Sequence, residues 1–187
     1  MSIRQSGDPE DGCASPLRDL LERGSSLFKN GEYEQSQKVF EEAVAKHPRS
    51  AEAHAWLAAV YGRLIETVWS ITDKMTLLAK LDNEVDTALE LDPTLPLARR
   101  MNGARLLNKP DMLGGDPSAA ADEFRYCIDR GVNDAEIWVS LAECFLKTEE
   151  KAKAAEALET ALAREPGYER ADLLLQRMKS GEDGERP

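Results

Sequence analysis

Five positions recur along this chain at fixed spacing, and no other feature of the sequence restricts its fold so far. Gly24, Ser36, Phe40, Ala43 and Pro48 are separated by steps of 12, 4, 3 and 5 residues, and Ala142, Ala154, Leu158, Ala161 and Pro166 repeat the same steps. The pattern returns twice in between, in stretched form. Ala58 leads to Leu81, Val85, Ala88 and Pro93 with 11 residues added to the first step, and Gly103 leads to Ala120, Phe124, Cys127 and Val132 with 5 added. A recurrence at this period marks a stack of small supersecondary units, none of which buries its apolar face alone.

The spacing itself describes the unit. Steps of 3 and 4 keep residues on one face of a helix, so the last three apolar positions lie on a second helix that faces the first. Small residues sit where the two helices approach closely, a large one fills the gap, and Pro ends the second helix because it cannot continue one. Lys29-Asn30-Gly31 is a helix stop and turn, Asp116-Pro117 is an N-cap followed by Pro at the first helical position, and Lys46-His47 and Arg164 place positive charge near helix C-termini. The expected helices are 17–29, 33–46, 51–71, 73–91, 95–107, 117–130, 134–147, 151–164 and 168–180. The last carries Ala171, Leu174, Leu175 and Met178 at helical spacing and reads as a polar-faced cap.

A 34-residue helix–turn–helix unit with these residues resembles the tetratricopeptide repeat (TPR) family, over about Leu17 to Tyr168. The first copy, LRDLLERGSSLFKNGEYEQSQKVFEEAVAKHPRS, and the fourth, AEIWVSLAECFLKTEEKAKAAEALETALAREPGY, fit closely; the second and third fit in halves. Ser36 and Cys127 stand where the family has Ala, and the third copy lacks its final Pro. The resemblance implies an all-α, right-handed solenoid of four antiparallel helix pairs, the second and third expanded, plus a C-terminal capping helix. The solenoid domain is expected at 17–180, between disordered tails at 1–16 and 181–187. The loop Lys109-Pro-Asp-Met-Leu-Gly-Gly-Asp116 after an expanded second unit also resembles a group of bacterial TPR proteins and, more distantly, the TRAP-transporter-associated TPR lipoproteins.

The two insertions read differently. Residues 62–93 lack Gly and Pro after Gly62 until Pro93, so the extra 11 residues, about three helical turns, lengthen both helices of the second unit. Either the long hairpin buries its own stripe, with Ile65, Val68 and Trp69 facing Met75, Leu78 and Leu81, or Val68, Trp69 and Met75 form a self-association surface. The Gly114-Gly115 loop lacks the Gly-Lys-Ser/Thr ending of a phosphate cradle and follows a helix rather than a strand, so it reads as a turn feeding a capped helix.

Composition narrows the function. The chain has 187 residues and a formal net charge of −11. Nucleic acid and anionic membrane both need a basic patch, so neither is expected as a partner. Cys13, Cys127 and Cys144 form no Cys-x-x-Cys and cannot all pair within one chain, so no disulfide framework, zinc site or other cofactor is expected. His47 and His54 read as a helix-end charge and a surface residue. No run of about 18 apolar residues exists for membrane insertion. Met1–Pro16 shows no apolar leader, so a cytoplasmic location is expected, or an exported one if a leader has been removed. No nucleophile–base set can be assembled from motifs, and no enzyme is expected.

What remains is a surface. The first helix of each TPR unit lines the concave side, and carrying that property over nominates Arg18, Leu21, Ser25 and Phe28, then Glu52, Ala55, Ala59 and Arg63, then Leu97, Arg100, Ala104 and Leu107, then Glu136, Val139, Glu143 and Leu146. Phe28, Arg63, Arg100, Leu107, Val139, Glu143 and Leu146 are the expected partner-binding residues. TPR chains that clamp chaperone carboxylates carry Lys and Asn where this one has Leu21 and Ser25, which disfavours that ligand. The expected function is a non-enzymatic interaction module or scaffold binding a peptide or helix in its groove. The alternatives are self-assembly through the 62–93 hairpin, giving a homo-oligomer, and service as an accessory subunit of a bacterial transport or envelope complex.

Overall fold

The computed structural model describes residues 15–180. Over these residues the chain forms nine α-helices, which pair with their sequence neighbours. Helix α1 (Pro16–Lys29) packs on α2 (Tyr33–Lys46), α3 (Ala51–Thr67) on α4 (Ile71–Leu91), α5 (Pro96–Asn108) on α6 (Pro117–Asp129), and α7 (Ala135–Lys147) on α8 (Lys151–Arg164). The single helix α9 (Glu169–Ser180) closes the stack against α8. A 3-10 turn, Asp111–Leu113, lies within the α5–α6 link, and no strand occurs among the described residues. Of the expected tails, 1–14 and 181–187 lie outside the described residues; Pro16 is the first helical residue, where its fixed φ suits it.

The repeated positions are the core. Phe40, Val85, Phe124 and Leu158 are all fully or almost fully buried, as are Ala58 and Ala142, and Gly24 and Gly103 are buried with them. Size is complementary within each unit: the two glycines meet phenylalanines, and the two alanines share clusters with valine and leucine. Ser36 occupies its small position at no cost, because its buried Oγ donates to the Gly24 carbonyl at 2.9 Å. The turns inside units one and four match bond for bond. Glu32 N donates to Leu27 O at 2.9 Å, and Glu150 N donates to Phe145 O at 2.8 Å. Both turns need a left-handed residue, which is Gly31 (φ 79) in unit one and Glu149 (φ 62) in unit four.

His54 departs from expectation. It is buried, with Nδ1 2.5 Å from the Glu84 carboxylate and Nε2 3.1 Å from the Pro48 carbonyl, so it pins the α2–α3 link to α4 rather than facing solvent.

The long hairpin departs too. Helix α3 stops at Thr67, Val68–Ser70 forms the link, and Ser70 caps α4 through Asp73 N. Val68 and Trp69 therefore lie outside any helix and cannot face Met75 across a pair. Ile65 and Leu77 do pack into the cluster of units one and two, but Trp69 is 97% exposed, Ile71 79% and Met75 52%. The hairpin does not bury its own tip.

Candidate functional site

First helices of consecutive units touch one another, α1 with α3, α3 with α5 and α5 with α7, while consecutive second helices make no comparable contact. That asymmetry curves the stack with the first helices inside. The inner face has two regions of different chemistry.

Units two to four are stitched by ions. Glu136 of α7 accepts from Arg63 Nη2 of α3 at 2.6 Å and from Arg100 Nη2 of α5 at 2.8 Å. Arg100 also makes a paired contact with Asp134, at 2.7 and 3.0 Å, while Asp134 caps α7 by accepting from Ile137 N at 3.0 Å. One carboxylate thus links three units across the concave face. Burial works against the charge on Arg63, but Glu136 and Glu66 together outweigh it, so the guanidinium pKa is raised. Glu143 is similarly held, by Arg170 of α9 at 2.7 Å. Arg63, Arg100 and Glu143, expected as partner contacts, are engaged within the chain.

Among the described residues, units one and two leave the inner face open. Between α1 and α3 lies a pocket of about 520 Å³, with Leu17, Leu21 and Trp56 as apolar walls and Arg18, Glu22, Ser25 and Glu52 around them. Arg18 is paired with Glu22 at 2.8 Å. The Trp56 indole is fixed from behind, stacked on Phe40 at 5.7 Å between centroids and edge-on to Phe28 at 5.6 Å. Phe28 in turn meets Tyr33 at 5.4 Å, so it supports the wall and is half-buried. Such an aromatic wall is presented without further ordering cost.

Two expected contacts are corrected. Val139 and Leu107 are core residues, 0% and 3% exposed, in the cluster that joins units three and four to the cap. Leu146 is half-buried against the same cluster. Arg18, Leu21, Ser25 and Glu52 of the expected stripe do line the pocket, but Ala55 and Ala59 are buried, and Trp56, four residues from Glu52, faces the pocket in their place. Glu52-x-x-x-Trp56 was readable at helical spacing, but Ala55 matches the small-residue pattern equally well.

Burial pushes the Cys127 thiol up to about 11 and the Cys144 thiol up to about 12, and neither is a nucleophile at neutral pH. Cys127 Sγ also donates to the Pro96 carbonyl at 3.2 Å. Among the described residues, no group of three or more His, Cys, Asp or Glu side chains is placed to share a metal ion, and no helix is long and apolar enough to cross a membrane.

Two tetratricopeptide repeat family models match the chain, over residues 21–63 and 112–178. The chain belongs to the tetratricopeptide repeat family. The unmatched middle, 64–111, holds the extra turns of α3 and α4 and the start of the inserted loop. No curated protein matches the sequence. Solved structures show the same architecture at low identity. A thermophilic TPR protein of Thermus thermophilus, TTC0263, is 17% identical, covering 92% of this chain and 84% of that one, with a TM-score of 0.67. PilW, a type IV pilus biogenesis factor, is 17% identical over 90% and 70%, with a TM-score of 0.68. MamA of Desulfovibrio magneticus RS-1 is 16% identical over 91% and 88%, with a TM-score of 0.61. At such identity the likeness concerns the TPR fold alone.

Proposed function

We propose that this TPR chain is a non-enzymatic interaction module that binds a peptide or helix of a partner protein at the N-terminal end of its concave face. TPR proteins are scaffolds for protein–protein interaction, and that much comes with the family. The finer reading rests on one observation: Leu17, Leu21 and Trp56 line an open pocket, while the rest of the inner face is occupied by the chain's own ion pairs. A partner would insert an apolar side chain against the Trp56 face, with polar backbone groups reaching Ser25 and Glu52. Solenoids use their concave surface in this way, and the curvature brings α1 and α3 within reach of one segment.

The test is site-specific cross-linking. A photoreactive benzoylphenylalanine at Leu21 is expected to capture a partner that the same group at Gln37, on α2, does not. A synthetic peptide covering the cross-linked segment should then bind the purified chain, and Leu21→Glu should weaken it about tenfold, as expected for a contact near the centre of an interface. Equal capture from both positions, or binding indifferent to Leu21→Glu, refutes the reading.

A further inference from the structure

Among the described residues seven large apolar side chains are exposed, and five of them, all but Leu91 and Leu173, belong to two links. Trp69, Ile71 and Met75 sit at the α3–α4 link, and Met112 and Leu113 sit in the α5–α6 link. Because paired helices alternate in direction, both links lie along the same edge of the stack.

These side chains share one cause. On α4, Ile71, Met75, Asp82 and Asp86 are spaced by 4, 7 and 4 and fall on one stripe. Unit three covers the lower half of that stripe: Arg105 Nη1 donates to Asp86 at 2.6 Å and Lys109 Nζ to Asp82 at 2.7 Å. Helix α5 ends at Asn108, so the upper half, about 16 Å of helix above Asp82, stands beyond it. Below, the link offers Met112, 89% exposed, and Leu113. That link is firmly shaped. Gly115 N donates to Pro110 O at 3.0 Å, Asp116 N to Leu106 O at 3.0 Å, and a Cβ on Gly115 would lie 2.0 Å from the Lys109 carbonyl oxygen. Two apolar side chains are therefore held in water by a hydrogen-bonded loop that starts at Lys109, which is itself tied to α4 through Asp82, below the apolar ledge. The two make a step, with α4 as its riser and the loop as its tread.

The charges around the step choose its occupant. Glu66 is paired with Arg63 and Lys109 with Asp82, so exposed Asp73, Asp111 and Asp116 stand here against Lys74 and Lys147, the latter on the Leu107 carbonyl, and the balance stays acidic. A second copy of the chain, at a net charge of −11, would bring like charge to an acidic rim, and so would an anionic bilayer. We propose that the step is a docking surface, separate from the concave pocket, for an amphipathic helix of a partner protein whose apolar face is flanked by Lys and Arg. A single helix laid in the angle would cover Met75 and Met112 together and set its basic flanks against the rim.

Random peptides of about 16 residues, long enough for four helical turns, are selected on the immobilised full chain. They are counter-selected on a Trp69→Ser/Met112→Ser variant whose circular dichroism matches the parent. The survivors are expected to interleave apolar residues with Lys and Arg, to lose about tenfold in affinity for that variant, to weaken with added salt, and to bind the Leu21→Glu pocket variant as they bind the parent. Failure to recover any binder, acidic survivors, or binding insensitive to Trp69→Ser/Met112→Ser overturns the proposal. A dimer in sedimentation that Trp69→Ser dissolves would give the step to a second copy. Co-sedimentation with phosphatidylglycerol vesicles that Trp69→Ser abolishes would give it to lipid. Either result overturns the helix assignment.

Discussion

Replacing Gly24 by Ala puts the packing of unit one under direct test. A Cβ at this position would lie 2.6 Å from Phe40 Cζ and 2.8 Å from both Cε atoms, about 1 Å inside normal carbon–carbon contact. The ring has nowhere to retreat, since it is fully buried and stacked on Trp56. Overpacking of this kind costs about 1–3 kcal/mol, and the helix-propensity gain of Gly→Ala returns roughly 0.5–1 kcal/mol. Gly24→Ala should therefore lose about 1 kcal/mol, and at most about 2.5 kcal/mol. Gly103, whose Cβ would meet Phe124 at 2.9 and 3.0 Å, should lose less. Gly62 is the control: its Cβ would meet only Leu81 Cδ1, at 3.7 Å, so Gly62→Ala should stabilise by roughly 0.5–1 kcal/mol. Urea unfolding followed by far-UV circular dichroism measures all three. A Phe40→Leu background removes the ring, and there Gly24→Ala should turn neutral or stabilising, a coupling of about 1–2 kcal/mol. The reasoning is refuted if Gly24→Ala is as stable as the parent, or if the two substitutions add without coupling.

Three further outcomes are expected. Glu149→Gly should raise stability by about 1 kcal/mol in the same assay, because Glu149 alone among the described non-glycine residues holds a positive φ, in the turn where unit one has Gly31. His54→Leu should cost about 3 kcal/mol or more, since it leaves the Glu84 carboxylate nearly buried without its partner; Glu84→Gln, which can still bond the ring, should cost distinctly less. In a Cys13→Ser chain, Cys127 and Cys144 should resist iodoacetamide at pH 8 and react fully in urea. Their folded pKa values are raised by burial from an ordinary value near 9, so the stability they contribute is complete below that value and is lost as pH climbs through about 11 and about 12.

The helix pairs were legible because each unit states its own contacts. Gly24 and Phe40 lie 16 residues apart, and a turn between them is enough to bring them together. The same holds for Asp116 before Pro117 and for the small-and-large alternation in every unit. The inner face was not legible to the same degree. Helical spacing fixes the direction of a residue only to within one position, or about 100°. Ala55 and Trp56 differ by that much, yet one is core and the other a pocket wall. The ion network lay further out of reach, because Arg63 and Glu136 are 73 residues apart and meet only through the curvature of three stacked units. His54 read as a surface residue in sequence, and only the packing of α4 against α3 made it a buried tie.

The expanded second unit shows why an insertion in a repeat has consequences outside itself. A stripe on α4 is core where α5 lies beside it and surface where α5 has ended, so the length of the next unit decides its fate. Lengthening α3 and α4 together keeps the pair intact, with Ile65 and Leu77 packed in the shared cluster. It leaves Ile71 and Met75 without cover because unit three was lengthened in its loop rather than its helices. Had the five extra residues of unit three been helical and shared between its two helices, they would have lengthened that pair by about 4 Å toward Met75. Spent instead on a shaped loop, they hold Met112 and Leu113 outward at the foot of the ledge. The two insertions therefore act as one feature. Together they move exposed apolar surface to one edge of a solenoid whose inner face, from Arg63 to Glu136, is held shut by its own charges.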